Sequence, residues 1–328
     1  MSALAPILEG YFTEHLAQRR ASSHTVSSYR DTFRLLLRYA QARLGKPPAA
    51  LDLADLDVSL IGAFLDHLER DRNASVRTRN LRLTAIHSLF TYASYRCPEH
   101  AEMIRRVLTI PAKARERTVV SFLSRAETAA LLEAPDRSTP LGQRDHALLL
   151  VAVQTGLRVS ELTGLTFADV TFGRGAHVHT RGKGRKERIT PLLPATARLL
   201  ETWQRHRRAF ADEPVFATRA GGRLSADAVE DLVDKYVAAA GPCCPSLRDK
   251  RVTPHTLRHT CAMSLLRSGT DIATIALWLG HASIKSTEVY LHADLTLKEE
   301  ALARTAPTSI ARHRYRPTDK LLDFLETL

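Results

Sequence analysis

The chain has 328 residues, and its 44% of hydrophobic and 25% of charged residues are typical of a globular protein of about two domains. Lys and Arg number 47 against 35 Asp and Glu, and the resulting net charge of +12 excludes an acidic solvating chain and favours a polyanionic partner such as nucleic acid. No apolar run approaches the ~18–20 residues that span a bilayer, so we expect no membrane segment.

The positive charge is divided between the two halves of the chain. Residues 1–115 hold 17 Lys and Arg against 11 Asp and Glu, a surplus of six, and the remaining residues carry the other six. Two basic modules on one chain would suit a clamp around a DNA duplex. The alternative is that both surpluses are charge scattered for solubility.

The cysteines and the N-terminus favour a cytoplasmic protein. Cys97, Cys243, Cys244 and Cys261 form no CxxC pair, so we expect reduced thiols rather than a metal site or a disulfide framework. The first 16 residues lack the basic and apolar regions of a secretory signal.

The N-terminal part is predicted to be helical throughout. Ser22 or Ser23 caps a first helix that ends at Gly45, and Ser75 precedes a third helix. The apolar positions of the three helices recur at helical spacing within residues 26–40, 61–68 and 83–93.

Arginines cluster around the start of the third helix. Five of them fall within thirteen positions, namely Arg70, Arg72, Arg77, Arg79 and Arg82. This pattern indicates a helix whose N-terminal half lies on DNA phosphates, and we take Arg77, Arg79 and Arg82 as candidate DNA contacts. An ordinary solvated helix face is the alternative.

A second core follows a linker at residues 108–121. A capping box at Ser124–Glu127 opens it, and an apolar helix at 141–155 ends at Gly156. Residues 175–193 predict a β-hairpin with a glycine-rich basic tip, after which helices resume at Pro194, over 225–240 and after Pro254. The predicted fold class is therefore mainly α with a small β-sheet.

The strongest chemical signal lies at residues 253–260, TPHTLRHT. His255 and Arg258 are three residues apart near a helix N-terminus, where backbone N–H groups also favour an anion, so they predict a phosphate site. A zinc site using His255 and His259 is the alternative, but the HExxH glutamate is missing.

Three further positions carry chemistry in other segments. Arg158 follows an apolar helix and needs an anion, which Glu161 could itself supply. Lys183 lies between two glycines at the hairpin tip, where it could protonate a leaving oxygen or bind phosphate. His281 follows Leu-Gly, and Tyr290 lies on a later predicted helix, where a core tyrosine is the alternative.

Taken together, these motifs resemble the tyrosine recombinase, or phage integrase, family, with Xer-like and mobile-element members nearest in pattern. The resemblance covers about residues 10–305, and its motifs are TGLRVSEL, GKGRKER, HTLRHT, LGH and VY before LHAD. All six catalytic positions of the family are filled, by Arg158, Lys183, His255, Arg258, His281 and Tyr290.

The resemblance implies an enzyme that cuts and rejoins DNA at specific sites without metal, ATP or another cofactor. Tyr290 would attack the scissile phosphate to form a 3′-phosphotyrosine, and two rounds of exchange would pass through a Holliday junction. Arg158 and Arg258 would stabilise the phosphate oxygens, and Lys183 would protonate the leaving 5′-oxygen. His255 would accept the tyrosine proton, with His281 bound to the phosphate or positioning Tyr290.

The resemblance also implies a domain organisation and partners. Residues 1–112 would form a helical, SAM-like core-binding domain and residues 113–310 the α+β catalytic domain. Residues 311–328 would form a tail that docks on a neighbouring protomer, or one that simply frays. The expected partners are double-stranded DNA, further copies in a tetramer, and possibly a second recombinase.

Two other functions remain open from the sequence. One is relaxation of DNA by a type IB topoisomerase-like enzyme, which would use the same tyrosine chemistry without choosing a site. The other is a DNA-binding regulator without catalysis, against which the complete catalytic set argues.

Overall fold

The structure is a computed structural model that describes residues 3–114, 120–181, 187–281 and 283–293. The chain divides into two compact units, Met1–Arg117 and Thr118–Leu328.

The first unit is helical. Its helices are α1 Leu4–Gly10, which continues through a π-helical turn at Tyr11–His15 into α2 Leu16–Gln18, then α3 Ser23–Leu44, α4 Val58–Arg70, α5 Val76–Ser94 and α6 Ala101–Leu108. Short 3₁₀ turns lie at Pro48–Ala50, Leu53–Asp55 and Pro98–His100.

The three predicted helices are confirmed as α3, α4 and α5, and local caps set their starts. The side chains of Ser22, Asp57 and Ser75 each accept a backbone N–H three residues later, and Gly45 ends α3 at a φ of +69°. The helical segments around α1 and at α6 are additional to the prediction.

The first unit closes around one apolar core. Tyr11, Leu36, Phe64 and Phe90 are essentially fully buried in it, and the hydroxyl of Tyr11 donates to Ser88 Oγ at 2.7 Å. The π-helical turn thus places Tyr11 inside the core, where its hydroxyl keeps a partner.

The second unit mixes helices with a small sheet. Its helices are α7 Arg125–Glu133, α8 Pro140–Thr155, α9 Val159–Gly164, α10 Pro194–Arg207, α11 Ala226–Ala240, α12 Pro254–Arg267, α13 Ile272–Leu279 and α14 Val289–Ala293. Its 3₁₀ turns lie at Phe167–Asp169, Pro245–Leu247 and Ile284–Ser286.

The sheet contains the predicted hairpin and one more strand. β1 Val170–Thr171, β2 His177–Arg181 and β3 Glu187–Pro191 are antiparallel in that order, with Val178 opposite both Val170 and Thr190. The hairpin tip at residues 182–186, including Lys183, lies outside the described residues, as does the tail from residue 294 onward.

Helix α8 runs through the core of this unit and packs against α7, α10 and α12. The predicted capping box of Ser124 and Glu127 is confirmed at the start of α7. Thr253 caps α12 ahead of Pro254, and Asp271 caps α13. None of the described helices is both long and apolar enough to cross a membrane.

Gly156 ends α8 in a left-handed conformation, at a position where a side chain would be both strained and crowded. Its φ is +62°, and a Cβ added there would lie 2.6 Å from Leu279 Cδ2 and 3.2 Å from Cys261 Sγ. The glycine therefore allows α8, α12 and α13 to approach one another closely.

We expect Gly156→Ala to lower the free energy of unfolding of the second unit by about 2–4 kcal/mol, because the added Cβ brings both backbone strain and overpacking. Denaturation of the full chain followed by tryptophan fluorescence measures this unit, since both tryptophans, Trp203 and Trp278, belong to it. Gly164→Ala is the control: a Cβ there meets nothing within 4 Å, so stability should change little. Equal effects of the two substitutions would contradict the packing argument.

Candidate active site

Arg258 is the most buried charged group of the site. It lies on α12, one turn beyond Pro254, and is 2% exposed. Its Nη1 donates to the carbonyl of Gly156 and its Nη2 to the carbonyl of Leu279, both at 2.6 Å. Burial, and then the charge of Arg158, lower the pKa of Arg258 to about 10, so the guanidinium remains a cation at neutral pH.

Arg158, Glu161 and Arg188 form an ion-pair network next to this arginine. Arg158 Nη1 donates to Glu161 Oε1 at 3.0 Å and its Nη2 to the carbonyl of Gly280 at 2.9 Å. Arg188, on β3, donates to both oxygens of Glu161, at 2.9 and 2.7 Å. The carboxylate thus holds two guanidiniums, and the pairing of Glu161 with Arg158 that the sequence left open is present.

The charge of Glu161 is strongly favoured by these partners. Burial would raise the pKa of its carboxyl, but hydrogen bonds from Arg188 and from the Arg158 backbone N–H, with the charges of both arginines, lower it to about 2. Arg158 keeps 36% of its side chain exposed, so it remains accessible to a further anion.

Tyr290 lies buried beside two imidazoles. It is 1% exposed, and its hydroxyl lies 2.9 Å from Nδ1 of His259. The ring of His281 lies nearly parallel to the tyrosine ring, with centroids 6.5 Å apart. Burial raises the pKa of Tyr290 to about 12, so the phenol keeps its proton in the free enzyme.

The imidazoles of His259 and His281 are held neutral. Burial lowers the pKa of each imidazole to about 4. Neighbouring groups add to this effect, first His255 for His259 and first Arg258 for His281. Nδ1 of His281 lies 2.7 Å from Thr287 Oγ1. His255 is exposed, and its ring packs on that of His259 with centroids 4.3 Å apart.

Family models match both units. Residues 121–296 match the phage integrase family, and residues 9–96 match the N-terminal SAM-like domain of phage integrases. The chain belongs to the phage integrase family. It is therefore a tyrosine recombinase, an enzyme that cleaves and rejoins DNA, and the predicted family and fold class are confirmed.

Named relatives and a solved structure agree with this membership. The integrase/recombinase y4rC of Sinorhizobium fredii (strain NBRC 101917 / NGR234) is 54% identical over 328 residues, which cover 100% of this chain and 99% of that one. From the same strain, y4rD is 41% identical over 276 residues, 83% of this chain and 98% of that one. The XerH recombinase in a post-cleavage complex with palindromic difH substrate shares the fold, with a TM-score of 0.70 and 23% identity over 87% of this chain and 81% of that one.

The tyrosine recombinase site gathers five of the six predicted catalytic residues into one region. They are Arg158 at the start of α9, His255 and Arg258 on α12, His281 just after α13, and Tyr290 on α14. The sixth, Lys183, lies outside the described residues. Among those described, no group of three or more His, Cys, Asp or Glu side chains is placed to hold a metal ion.

Sequence reasoning missed Arg188 and did not assign His259 to the tyrosine. Arg188 lies only five residues beyond Lys183. The alternation of side chains along β3 does not indicate that Arg188 pairs with a carboxylate on α9. The sequence pattern indicates for His259 only an alternative role as a zinc ligand with His255. Its spacing of one helical turn from His255 does place it on the same face, which was the available signal.

The candidate DNA contacts on α5 have different surroundings. Arg77 is exposed, whereas Arg79 is 6% exposed and its Nη1 donates to the carbonyl of Pro111 at 2.9 Å. Arg82 donates to the carbonyl of Ser28 at 3.1 Å. Two of the three arginines thus take part in packing α5 within the helical unit, and DNA contact remains a prediction for all three.

We expect Glu161→Gln to destabilise the second unit by about 2–3 kcal/mol at pH 7, and by progressively less as the pH falls. The folded pKa of about 2 is below the ordinary value of 4.5, so the stabilisation is present above pH 4.5 and is lost as the pH falls towards 2. Denaturation of both proteins between pH 7 and pH 3 measures the difference, with exposed Glu201→Gln as control. A difference independent of pH would contradict the network.

We expect Arg77→Ala to make the negative slope of log affinity for DNA against log salt concentration shallower by about one, without changing thermal stability. Arg79→Ala should instead destabilise the helical unit by about 1–3 kcal/mol, because the Pro111 carbonyl loses a buried charged donor. Binding titrations at several salt concentrations and thermal melts separate the two effects. An unchanged salt slope for Arg77→Ala would remove it from the DNA interface.

Proposed function

We propose that this tyrosine recombinase exchanges DNA strands at specific sites through a covalent bond between Tyr290 and a DNA phosphate. One observation carries the proposal: the Tyr290 hydroxyl is within hydrogen-bond distance of the neutral imidazole of His259, in a buried region that also holds the Arg258 guanidinium. A phenol, a proton acceptor and a fixed cation are the groups that phosphoryl transfer to a tyrosine requires.

The two predicted arginines suit the phosphate oxygens. Charge on those oxygens must be stabilised in the transition state, and preorganised donors do so without rearrangement. Each terminal nitrogen of Arg258 uses one N–H on a main-chain carbonyl and retains a second. Arg158 is anchored by Glu161 and Gly280 while over a third of its side chain stays exposed. Both guanidiniums are therefore oriented before substrate arrives.

The remaining catalytic positions complete the reaction. We assign to Lys183 the protonation of the leaving 5′-oxygen. Its position in the sequence between β2 and β3 supports this role, because Arg188 on β3 donates to Glu161 of the site. Nδ1 of His281 is within hydrogen-bond distance of the Thr287 hydroxyl, so we assign its Nε2 to the phosphate. His255, exposed at the edge of the site, would also contact the phosphate. The phosphotyrosine conserves the energy of the broken bond, so no ATP is needed for rejoining.

The partners follow from this chemistry. The substrate is double-stranded DNA carrying a specific site, bound by the SAM-like domain at about residues 1–112 and by the catalytic domain at about residues 113–310. Exchange between two duplexes requires four active sites, so we propose a tetramer on DNA, to which the tail at 311–328 would contribute. Two homologous recombinases in one Sinorhizobium strain support a second recombinase as partner. The cytoplasm, where bacterial DNA lies, is the proposed location.

Relaxation of supercoiled DNA is the second activity that the same tyrosine chemistry allows. The relatives named integrase/recombinase match this chain over nearly their whole length, and they favour strand exchange instead. A supercoiled plasmid without the selected site separates the two activities, because only a topoisomerase-like enzyme would relax it.

We expect Tyr290→Phe to abolish covalent protein–DNA complexes while binding of a half-site persists, because the substitution removes only the nucleophilic oxygen. The site is first obtained by selection from a random duplex library, and a nicked suicide substrate then traps the adduct for a denaturing gel. Tyr236→Phe is the matched control, since it removes another buried hydroxyl, one that donates to Asp145 at 2.8 Å. Tyr236→Phe should still form the adduct, and an adduct that persists in Tyr290→Phe would refute the assignment.

A further inference from the structure

We infer that His259, rather than His255, receives the proton of the Tyr290 hydroxyl when the tyrosine attacks DNA. The inference rests on the proposed function, since it concerns the reaction of Tyr290. It makes His259 a catalytic residue, because its ring touches the reacting oxygen.

The geometry places one imidazole directly on the nucleophile. Nδ1 of His259 is 2.9 Å from Tyr290 Oη, and the two rings meet at 67° with centroids 5.4 Å apart. A phenol has one proton, so when it donates to Nδ1 the ring proton of His259 is on Nε2. A general base must lie within about 2.6–3.2 Å of the oxygen it serves, and His259 does.

His255 is placed differently. It lies one turn earlier on α12, is exposed, and meets the ring of His259 at a centroid distance of 4.3 Å. His259 thus lies against both His255 and Tyr290. This arrangement leaves His255 to contact the phosphate or to exchange protons with solvent.

The charges around His259 explain why the proton moves only with DNA present. The groups that act on it are His255, Arg258 and His281, all cationic or able to become so, and with burial they keep the imidazole neutral. Burial likewise keeps the phenol protonated. A phosphate entering the site adds a negative charge that stabilises an imidazolium and offsets those cations. The neutral imidazole is therefore a poor base in the empty site and a better one in the complex.

The step balances in both directions. In cleavage, the Oη–H bond of Tyr290 breaks and a bond from hydrogen to Nδ1 forms, while Oη bonds to phosphorus and the bond from phosphorus to the 5′-oxygen breaks. The leaving oxygen takes a proton from a general acid, for which Lys183 is proposed. In rejoining, the neutral amine of Lys183 takes the proton of a 5′-hydroxyl and the 5′-oxygen attacks phosphorus. The bond from phosphorus to Oη breaks, and the imidazolium of His259 returns its proton to the departing Tyr290.

The test uses His259→Asn in the full chain, because an asparagine oxygen lies near the former position of Nδ1 and accepts a hydrogen bond but no proton. We expect the rate of covalent complex formation on a suicide substrate to fall about 100- to 10,000-fold, while half-site binding and thermal stability stay close to wild type. His255→Asn is the matched control and should fall less. A rate within threefold of wild type for His259→Asn would overturn the inference.

Two measurements distinguish a lost base from a disturbed site. A ring-fluorinated tyrosine at position 290, whose phenol is more acidic, should restore part of the rate in His259→Asn and change the wild-type rate much less. A substrate with bridging sulfur at the 5′-position needs no general acid, so it should rescue Lys183→Met but not His259→Asn. Equal effects of fluorination in both backgrounds, or rescue of His259→Asn by sulfur, would overturn the inference. His259→Gln is used in the same way if His259→Asn melts early.

The experiments distinguish failure of the His259 inference from failure of the proposed function. Covalent adduct in Tyr290→Phe would refute the nucleophile and with it the proton acceptor. Loss of adduct in Tyr290→Phe together with full activity in His259→Asn would refute the proton acceptor alone.

Discussion

The burial of the Arg258 guanidinium is the constraint on which the site depends. A cation that is 2% exposed is costly unless its hydrogen bonds are made, and here two main-chain carbonyls make them. Gly156 and Leu279 lie at the C-terminal ends of α8 and α13, where helix dipoles add negative potential. Both of these hydrogen bonds go to carbonyls rather than to a carboxylate, which would compete with a phosphate for the guanidinium, and the nearby Glu161 adds a favourable charge.

That constraint also fixes the surrounding backbone. For both carbonyls to reach one guanidinium, the C-terminal ends of α8 and α13 must lie close to the first turns of α12, and the left-handed Gly156 allows this approach. Gly280, also left-handed, continues the arrangement by giving its carbonyl to Arg158 and by packing beneath Arg188. The glycine of the TGLR motif thus supplies a carbonyl to Arg258, and the glycine of the LGH motif supplies one to Arg158. Glu161 then connects α9 to the hairpin strand β3, so the orientation of Arg158 depends on the sheet as well.

Sequence reasoning succeeded where the signals were local. Caps such as Ser75, Ser124 and Thr253 act within three residues, and they identified helix starts that the structure contains. The hairpin also followed from a change of period and a glycine-rich tip. The catalytic set came from the spacing of motifs within a known family rather than from physical calculation, and five of its members do lie together.

What could not be predicted depends on contacts between distant segments. The two carbonyl partners of Arg258 lie 102 residues earlier and 21 residues later, and no local pattern identifies them. The same holds for Arg188, whose carboxylate is 27 residues away, and for Arg79, whose partner carbonyl follows 32 residues later. A basic helix start predicted DNA contact for three arginines alike, because sequence spacing does not distinguish a solvated guanidinium from one that packs beneath a loop.

The electrostatics of the empty site bear on when the enzyme reacts. Buried cations and neutral imidazoles surround Tyr290, with pKa values of about 12 for the phenol and about 4 for His259 and His281, so the nucleophile stays protonated and the imidazoles stay uncharged. An added anion offsets the cations around His259 and stabilises its protonated form, so the imidazole accepts the phenol proton more readily. The scissile phosphate is such an anion. In the proposed mechanism the substrate would therefore supply the compensating negative charge, which would couple the chemical step to correct placement of DNA.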